Sequence, residues 1–216
     1  MKIYDGCLSD CFRMIVAGAS AVGKSCFVEK LLKNQYGILN QSFDRAIYLR
    51  GVKTSTSQNL REIFDDKLIC FDGIPREDVL LPLCRDGQGK LILLIDDLDQ
   101  EALNSPLISK IFTVYSHHLN FSVCLTTQNF FRPGKERLTL VRNATHLVLF
   151  PNPMDGSIIR IISQKVFATK PKALVELFEK ITTQPFHYLS IWSQCDPELR
   201  FRSGILGPYQ KVYIAE

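Results

Sequence analysis

The stretch GASAVGKS, at residues 18 to 25, constrains the fold of this chain more than any other feature. Its glycines, lysine and serine match the spacing G-x-x-x-x-G-K-[ST], which is typical of the phosphate-binding loop between a strand and a helix. The run RMIVA before it predicts a buried strand, and the amphipathic stretch from Lys24 to Lys33 predicts a helix. A chance match in a glycine-containing turn is the alternative, and these flanks make it the weaker one.

The residues of this loop suit the binding of a nucleotide. The two glycines allow the backbone to turn its N–H groups toward phosphate oxygens, and the following helix adds its positive N-terminal end. Lys24 can reach the β- and γ-phosphates, and Ser25 offers a hydroxyl to Mg²⁺. Ser20 and Ala21 are expected to be plain loop residues rather than specific ligands. The predicted nucleotide-binding residues are Gly18, Ala19, Ser20, Ala21, Val22, Gly23, Lys24 and Ser25.

A second motif, LILLIDDLDQ at residues 91 to 100, places two adjacent carboxylates directly after five aliphatic residues. Such a run predicts a strand buried on both faces, and a carboxylate at its end needs a cation or a hydrogen-bond donor. In enzymes with this phosphate-binding loop, an acid at the end of a second buried strand holds the magnesium of the nucleotide. We therefore predict that Asp96, together with Ser25, binds Mg²⁺.

The next residue, Asp97, is a candidate for catalysis. It points in another direction than Asp96 and can orient or deprotonate a water molecule that faces the γ-phosphate. The alternative is a structural role for Asp97 as the N-cap of a helix that starts at Leu98 or Gln100. Asp99 is expected to be a capping or solvated residue.

A third part of the site is predicted from FSVCLTTQN, residues 121 to 129, a strand that ends in polar residues. Where such a strand leaves the sheet beside the phosphate loop, Gln128 is suited to hydrogen-bond the γ-phosphate or the attacking water. Thr126 and Thr127 are weaker candidates. An ordinary amide at the end of a strand is the alternative for Gln128.

Short apolar runs alternate with amphipathic stretches along the chain, which predicts an α/β fold with a central, mostly parallel sheet flanked by helices. The 216 residues suit one such domain, with a short lead-in over 1–11 and a β-rich extension over about 185–216. The predicted strands are 13–17, 46–49, 68–71, 90–95, 121–126, 146–150, 188–192 and 211–214. The predicted helices are 24–33, 57–65, 77–84, 101–117 with a break near Pro106, and 171–181.

Composition limits the function less than the motifs do. The chain has 46% apolar residues and a net charge of +4, which is compatible with nucleic-acid binding without indicating it. No segment approaches the roughly 18 apolar residues of a membrane span. The N-terminal sequence lacks the apolar core of a secretory signal, so an intracellular protein without membrane partners is expected. Seven scattered cysteines without a CxxC pair predict neither disulfides nor a zinc site.

Several motifs, taken together, resemble one family of ATPases. They are the phosphate loop, the acid pair about 70 residues later, and the blocks SHHLNFSVCLTTQNFF, FDGIP, NATHLVLFPNPMD and LRFRSGIL. In these blocks the chain is similar to the FtsK/HerA-type genome-packaging ATPases of double-stranded DNA viruses, and among them to the compact forms of Polinton/Maverick elements and adintovirus-like viruses. The similarity runs from about residue 12 to the end. The blocks after the acid pair distinguish this family from other P-loop proteins.

The resemblance implies a RecA-like P-loop NTPase that forms a homo-oligomeric ring, expected to be a hexamer, and pumps double-stranded DNA into a preformed capsid. It implies ATP and Mg²⁺ as cofactors, and DNA of any sequence and viral capsid proteins as partners. It also implies a location in the host cell, in the nucleus or at a cytoplasmic assembly site, and in the virion. Asp96 and Asp97 match the acid pair of the family, and Gln128 lies where the family has a polar sensor of the γ-phosphate.

The resemblance further implies that an arginine from the next subunit completes each site and stabilises charge on the transferred phosphoryl group. Arg137 and Arg142, in KERLTLVRN, are the candidates, and Arg132 is a third and weaker one. The spacing to Asn143 differs by one residue from the family pattern, so the sequence does not choose between them. An exposed, solubilising arginine is the alternative for each.

The C-terminal segment departs from the family pattern, and two other functions fit parts of the sequence. LSIWSQC lacks an acidic residue expected near Trp192, and Arg200 and Arg202 could either face DNA or cap the sheet. A small P-loop kinase fits the length, yet neither an arginine-rich lid nor an acceptor-binding acid stands out. A nucleotide-dependent switch is the third function, although a guanine-specific one would need an NKxD-like motif, which the sequence lacks.

Overall fold

The computed structural model describes residues 7–8, 11–34, 37–40, 42–51, 56–86, 89–128, 134–153, 156–166, 170–207 and 210–214. Its strands in this part of the chain are β1 (Arg13–Ala17), β2 (Arg45–Arg50), β3 (Leu68–Asp72), β4 (Leu91–Asp96), β5 (Ser122–Thr127), β6 (His146–Leu149), β7 (Leu189–Trp192), β8 (Phe201–Ser203) and β9 (Lys211–Tyr213). They form one nine-stranded sheet in the order β3-β2-β4-β5-β1-β6-β7-β8-β9. The first six strands in this order are parallel, and the last three join antiparallel.

Helices cover both faces of this mostly parallel sheet, and the predicted phosphate loop connects β1 to the first helix, so the fold is the α/β fold of P-loop NTPases. A π-helical turn at Ile111–Tyr115 joins the helices Pro106–Lys110 and Ser116–His118. Among the described residues, no helix is long and apolar enough to span a membrane. The helices are α1 (Lys24–Lys33), α2 (Thr56–Phe64), α3 (Glu77–Arg85), α4 (Asp99–Asn104), α5 (Pro106–Lys110), α6 (Ser116–His118), α7 (Arg137–Asn143), α8 (Ser157–Val166) and α9 (Pro171–Ile181).

The central strands are buried on both faces, which explains their continuous aliphatic sequences. Along β4, Ile92 and Leu94 belong to the core under α1 and α2, whereas Leu93 and Ile95 belong to the core on the opposite face. Each buried aliphatic side chain of this size contributes about 1.5–3 kcal/mol relative to exposure. The two cores therefore fix which side chains at the strand ends point toward α1.

The register places the ends of three strands side by side. β5 lies between β1 and β4, and Ala17 is aligned with Thr127 across the β1–β5 pair. In the β4–β5 pair, Leu125 is aligned with Ile95. The residues that follow β1, β5 and β4 thus meet at one edge of the sheet, which we call the carboxyl edge. The phosphate loop and the acid pair therefore share one crevice rather than lying at distant edges.

All eight strands predicted from the sequence are confirmed, and no boundary is shifted by more than one residue. The predicted helix 101–117 begins earlier, at Asp99, and is interrupted at Ser105, as the proline at position 106 predicts. Three elements were missed: α7, α8 and β8. Strand β8 is only three residues long and contains an arginine and a serine, so no apolar alternation marks it.

The antiparallel part of the sheet buries two groups that usually lie at the surface. Arg202 is 2% exposed; its Nε donates to the Leu199 carbonyl at 2.8 Å, and its guanidinium lies 3.7 Å from the ring centroid of Trp192. Trp192 also contacts the neighbouring strand β6, where the centroid of the His146 ring lies 4.7 Å from that of Trp192, with an interplanar angle of 81°. Because Arg202 is buried in a strand that has β7 on one side and β9 on the other, it does not lie at the surface, where it could face DNA.

Candidate active site at the carboxyl edge

The phosphate loop leaves β1 at the carboxyl edge and ends at the N-terminus of α1. Gly23, the N-cap of α1, has a φ of 105°, which glycine adopts without strain. Among the described residues no side chain caps this helix, and its first turn contains no acidic residue. The first N–H groups of α1, together with the positive end of the helix dipole, are therefore suited to an anionic group.

Lys24 lies against the loop that precedes it. Its ammonium donates hydrogen bonds to the carbonyl oxygens of Gly18 at 2.8 Å and Ala19 at 2.7 Å. Burial lowers the pKa of the Lys24 ammonium from its ordinary value. Three negative charges partly oppose this effect and raise the pKa, in decreasing order those of Asp99, Asp97 and Asp96. The lysine and the acidic residues after β4 thus belong to one electrostatic site.

Asp96 ends β4 with its carboxylate on the face covered by α1. One oxygen accepts a hydrogen bond from the Tyr48 hydroxyl at 2.9 Å, and the other accepts one from the Thr126 hydroxyl. Tyr48 belongs to β2 and Thr126 to β5, the two strands that flank β4. Neighbouring strands therefore hold this carboxylate from both sides and fix its orientation.

A small cavity joins Asp96 to the start of α1. It has a volume of about 10 Å³, and its lining includes Ser25, Tyr48, Asp96 and Thr126. These residues offer a carboxylate and hydroxyl oxygens, which are the ligand types that Mg²⁺ prefers. The residues present therefore fit a magnesium ion held by Ser25 and Asp96, with Tyr48 and Thr126 orienting the carboxylate.

The backbone at Asp97 turns sharply out of the sheet. Asp97 has a φ of 54°, in the left-handed region that few residues with side chains adopt. Gly51, at the end of β2, donates its N–H to the Asp96 carbonyl at 3.0 Å, and a Cβ on Gly51 would lie only 2.1 Å from the Asp97 carbonyl oxygen. A glycine is thus required for this close approach. Because α4 begins at Asp99 with Leu98 as its N-cap, the alternative role of Asp97 as the N-cap is wrong.

Gln128 links the phosphate loop to the acidic residues. Its side-chain oxygen accepts a hydrogen bond from the Ser20 hydroxyl at 2.9 Å, and its side-chain amide donates to Asp97 at 3.3 Å. Its backbone N–H donates to the Asp99 carboxylate at 3.0 Å. Through this bridge of hydrogen bonds, the residue after β5 contacts both the loop after β1 and the turn after β4.

Sequence reasoning missed several members of this site. The sequence predicts a capping or solvated role for Asp99 and a plain loop role for Ser20, yet both hydrogen-bond Gln128. Tyr48 was not considered, although its position two residues before the end of β2 places it on the face that points toward α1. Thr127, by contrast, is buried, and its hydroxyl has no hydrogen-bond partner among the described residues.

The candidate arginines lie away from this bridge. Arg137 begins α7, which packs against α4 and the π-helical turn. Arg142 lies in the last turn of α7, just before the start of β6. The starts of the parallel strands lie at the edge of the sheet opposite to the carboxyl edge. There Arg142 lines a cleft of about 570 Å³ together with Lys165 and Arg200. Arg132 is outside the described residues.

Comparison of the fold with solved structures identifies similar proteins. The genome packaging NTPase B204 from Sulfolobus turreted icosahedral virus 2, in complex with ATP-gammaS, matches with a TM-score of 0.58 at 13% identity, over 95% of this chain and 98% of that chain. The same protein with sulfate gives a TM-score of 0.55 at 12% identity, covering 97% and 98% of the two chains. Its complex with AMPPCP gives 0.53 at 12% identity, covering 96% and 100%.

These matches span nearly the whole of both chains, and at this level of identity they show a shared fold. No protein-family model matches the sequence, and no curated protein sequence matches it either. The arrangement of residues at the carboxyl edge is therefore the basis on which a function can be argued.

Proposed function

We propose that this chain is a Mg²⁺-dependent ATPase that packages double-stranded viral DNA into a capsid, acting as a homo-oligomeric ring of the FtsK/HerA type. The observation that carries the proposal is the contact network at the carboxyl edge, in which Gln128 connects the phosphate loop to Asp97. The fold shared with a viral genome packaging NTPase supports it, as does the resemblance of the sequence motifs to packaging ATPases.

In this proposal the phosphate loop and Lys24 bind the triphosphate. The loop N–H groups and the dipole of α1 face the phosphate oxygens, and the Lys24 ammonium exchanges its carbonyl partners for the β- and γ-phosphates. Ser25 and Asp96, which line the same small cavity, would hold the metal. Mg²⁺, when bound, supplies positive charge that offsets the charge developing on the phosphates.

Asp97 and Gln128 act on the attacking water. The Asp97 carboxylate is exposed and hydrogen-bonded only weakly to Gln128, at 3.3 Å, so it is free to accept a proton from a water molecule. Gln128 is exposed as well, and it can hydrogen-bond the water or the γ-phosphate. Because Ser20 holds the amide oxygen of Gln128, the loop that binds phosphate also sets the position of this sensor.

The ring places an arginine of one subunit at the site of the next, with Arg137 or Arg142 as the candidate. The location of Arg142 near the edge opposite to its own phosphate loop favours an action on a neighbouring subunit. A mixing experiment tests this idea, because Arg137→Ala or Arg142→Ala and Lys24→Ala would each lack a different part of a shared site. Activity should reappear when the inactive arginine variant is mixed with the Lys24 variant, and no recovery with either arginine would argue against a shared site.

DNA is proposed to bind through its phosphates, without regard to sequence. The cleft at Arg142, Lys165 and Arg200 has no carboxylate among its described lining residues, and it offers the positive charge that such contacts need. The net charge of +4 is small, so we expect affinity to depend on this local surface and to fall steeply as salt is added.

The test of the proposed function is ATP turnover with and without duplex DNA, combined with sizing of the assembly in the presence of nucleotide. We expect hydrolysis that DNA stimulates and a ring, with six subunits as the leading expectation. Turnover that rises with a small acceptor instead of DNA would indicate the kinase. Binding of nucleotide without turnover under any of these conditions would indicate the switch.

A further inference from the structure

A second cavity adjoins the end of the phosphate loop. It has a volume of about 370 Å³, and one side is formed by Gly23 and by Cys26 and Lys30 on the first two turns of α1. The opposite side comes from the C-terminal part of the chain, with Phe186 and Tyr188. The cavity therefore begins where the phosphate loop ends, and on the side of α1 that does not face Asp96.

Three aromatic rings form a fixed wall of this cavity. Tyr188 lies 5.1 Å from Phe27 at an angle of 81°, and 5.2 Å from Phe150 at 48°. Phe27 and Phe150 lie 6.2 Å apart at 82°. Such edge-to-face and tilted pairs hold one another in place. Phe27 comes from α1, Phe150 directly follows β6 and Tyr188 directly precedes β7, so three distant segments make one aromatic surface.

Phe186 differs from these three rings. Its side chain is 65% exposed, and its backbone φ is 65°, a left-handed conformation that is strained for a bulky residue. Its ring lies over the phosphate loop, since a Cβ added to Gly23 would be 3.0 Å from it. A strained backbone that holds an exposed aromatic ring beside a cavity is not explained by packing of the core, and it points to a ligand.

The polar groups of the cavity are few. The Tyr188 hydroxyl accepts a hydrogen bond from the Leu206 N–H at 3.2 Å, and burial raises the pKa of Tyr188 to about 12, so the hydroxyl stays neutral. Among the described lining residues Lys30 is the only one with a charged side chain, and there is no carboxylate. The lining is thus suited to stack on the face of a planar ring system, and it offers few groups that could hydrogen-bond the polar atoms at the edge of that ring.

We infer that this cavity binds the base of the nucleotide, with Phe186 stacking on it, and that it accepts purines by shape with little discrimination between adenine and guanine. The inference rests on the proposed function, because it starts from a triphosphate seated on residues 18–25. Because the cavity begins at Gly23 and Cys26, a base attached to phosphates on residues 18–25 would reach it. The C-terminal extension would then be part of the nucleotide site.

The experiment compares nucleotides with a ligand that has no base. Isothermal titration calorimetry gives the dissociation constants of ATP, GTP, CTP and inorganic tripolyphosphate for the full chain and for Phe186→Ala. Stacking of a base on an aromatic ring predicts a roughly tenfold loss of ATP and GTP affinity in Phe186→Ala. Tripolyphosphate should bind both proteins equally well, and Phe186→Trp should retain the affinity for ATP.

Ile214→Ala is the matched control, since Ile214 is also 65% exposed and belongs to the same extension but does not line the cavity. It should change none of these constants. Unchanged ATP affinity in Phe186→Ala would overturn the inference. An equal loss of affinity for ATP and for tripolyphosphate would overturn it too, because Phe186 would then act by maintaining the conformation of the phosphate loop. A large preference of the full chain for ATP over GTP would contradict recognition by shape.

The same titrations separate this inference from the proposed function. Lys24→Ala should weaken ATP and tripolyphosphate alike, because the lysine contacts only phosphate. If the full chain bound neither ligand, or if Lys24→Ala changed neither, the nucleotide site itself would be wrong and the base site with it. If Lys24→Ala weakened the binding of both ligands but Phe186→Ala changed neither affinity, only the base site would be wrong.

Discussion

Two regions of the sheet hold polar and charged side chains in opposite ways. At the carboxyl edge, Lys24, Asp97 and Gln128 lie at or near the surface, and their hydrogen-bond partners belong to neighbouring loops and turns. In the antiparallel part, Arg202 and His146 are 2% and 4% exposed, and both contact the ring of Trp192, the arginine over its face and the histidine in an edge-to-face pair. The first arrangement leaves charges available to a ligand, whereas the second removes them from water.

The contrast shows how position within a sheet decides what a charge does. Side chains after the ends of parallel strands cannot be covered by the next strand, so their charges remain accessible. Side chains inside β6 and β8 face helices and loops, and there a charge persists only with a stacked ring or a backbone carbonyl as partner. We therefore expect changes at the carboxyl edge to affect turnover, and changes in the antiparallel part to affect stability.

The largest effect is expected for Lys24→Ala at the carboxyl edge. Without the ammonium, the β- and γ-phosphates lose their point charge, and we expect kcat/KM for ATP to fall by roughly 1000-fold. The melting temperature should change little, because the Lys24 head group bonds only to two carbonyls of the phosphate loop, Gly18 and Ala19. Lys33→Ala, an exposed lysine in the last turn of the same helix, is the control and should keep full activity. Equal rates in the Lys24 and Lys33 variants would contradict the assignment.

A smaller loss is expected for Asp97→Asn. The amide keeps the size of the side chain but cannot accept a proton, so single-turnover hydrolysis should slow by roughly 100-fold while the dissociation constant of ATP stays the same. Asp66→Asn serves as control because Asp66 is exposed and precedes β3, at the opposite edge of the sheet. Normal turnover in Asp97→Asn would remove Asp97 from the catalytic step.

In the antiparallel part, the prediction concerns stability and pH. Burial, with the positive charges of Arg202 and Arg13, lowers the pKa of His146 from 6.5 to about 3. The unfolded chain therefore binds a proton on this imidazole at a higher pH than the folded protein does. The free energy of unfolding should be unaffected above about pH 7 and should fall as the pH decreases toward 3, by about 2 kcal/mol at pH 5.

Urea unfolding at pH 5 and pH 8 measures this difference. His146→Phe, which keeps a ring beside Trp192 but does not titrate, should reduce the pH dependence by the same amount. His117→Gln, at an exposed histidine, should leave it as it is. An unchanged pH dependence in His146→Phe would show that the buried imidazole does not set it. ATP turnover at pH 8 should be similar in all three proteins.

The smallest effect is expected for Tyr48→Phe. This residue combines the features of both regions, because its side chain is buried but orients a carboxylate at the carboxyl edge. Loss of its hydrogen bond to Asp96 frees the carboxylate to rotate, so the Mg²⁺ concentration for half-maximal ATPase activity should rise roughly tenfold. The activity at saturating Mg²⁺ should recover, which a defect in folding would not allow. A constant Mg²⁺ requirement would mean that Thr126 alone orients Asp96.

The parts of this molecule that can be predicted from the sequence are those whose structure is determined by residues close together in the chain. The phosphate loop lies within eight residues, and the buried strand β4 is a continuous aliphatic run, so local pattern fixes both. Gln128 was found for a related reason, because polar residues after an apolar strand mark the carboxyl end of that strand. The parallel sheet itself follows from the alternation of such runs with helices.

The remainder depends on contacts between residues that are far apart in the chain. Tyr48 orients Asp96 only because β2 pairs with β4, and Asp99 reaches Gln128 only because β5 lies beside β4. The aromatic cavity combines Phe27, Phe150 and Tyr188, and no local pattern connects them. Strand order and register have to be known before such pairs can be recognised.

The most direct test of the account is the structure of the protein with Mg²⁺ and a non-hydrolysable ATP analogue. We predict that the triphosphate lies on residues 18–25 and that the metal lies between the Ser25 hydroxyl and the Asp96 carboxylate, with Asp97 and Gln128 facing the γ-phosphate. A nucleotide bound elsewhere, or a metal that neither Ser25 nor Asp96 contacts directly or through one water, would contradict it.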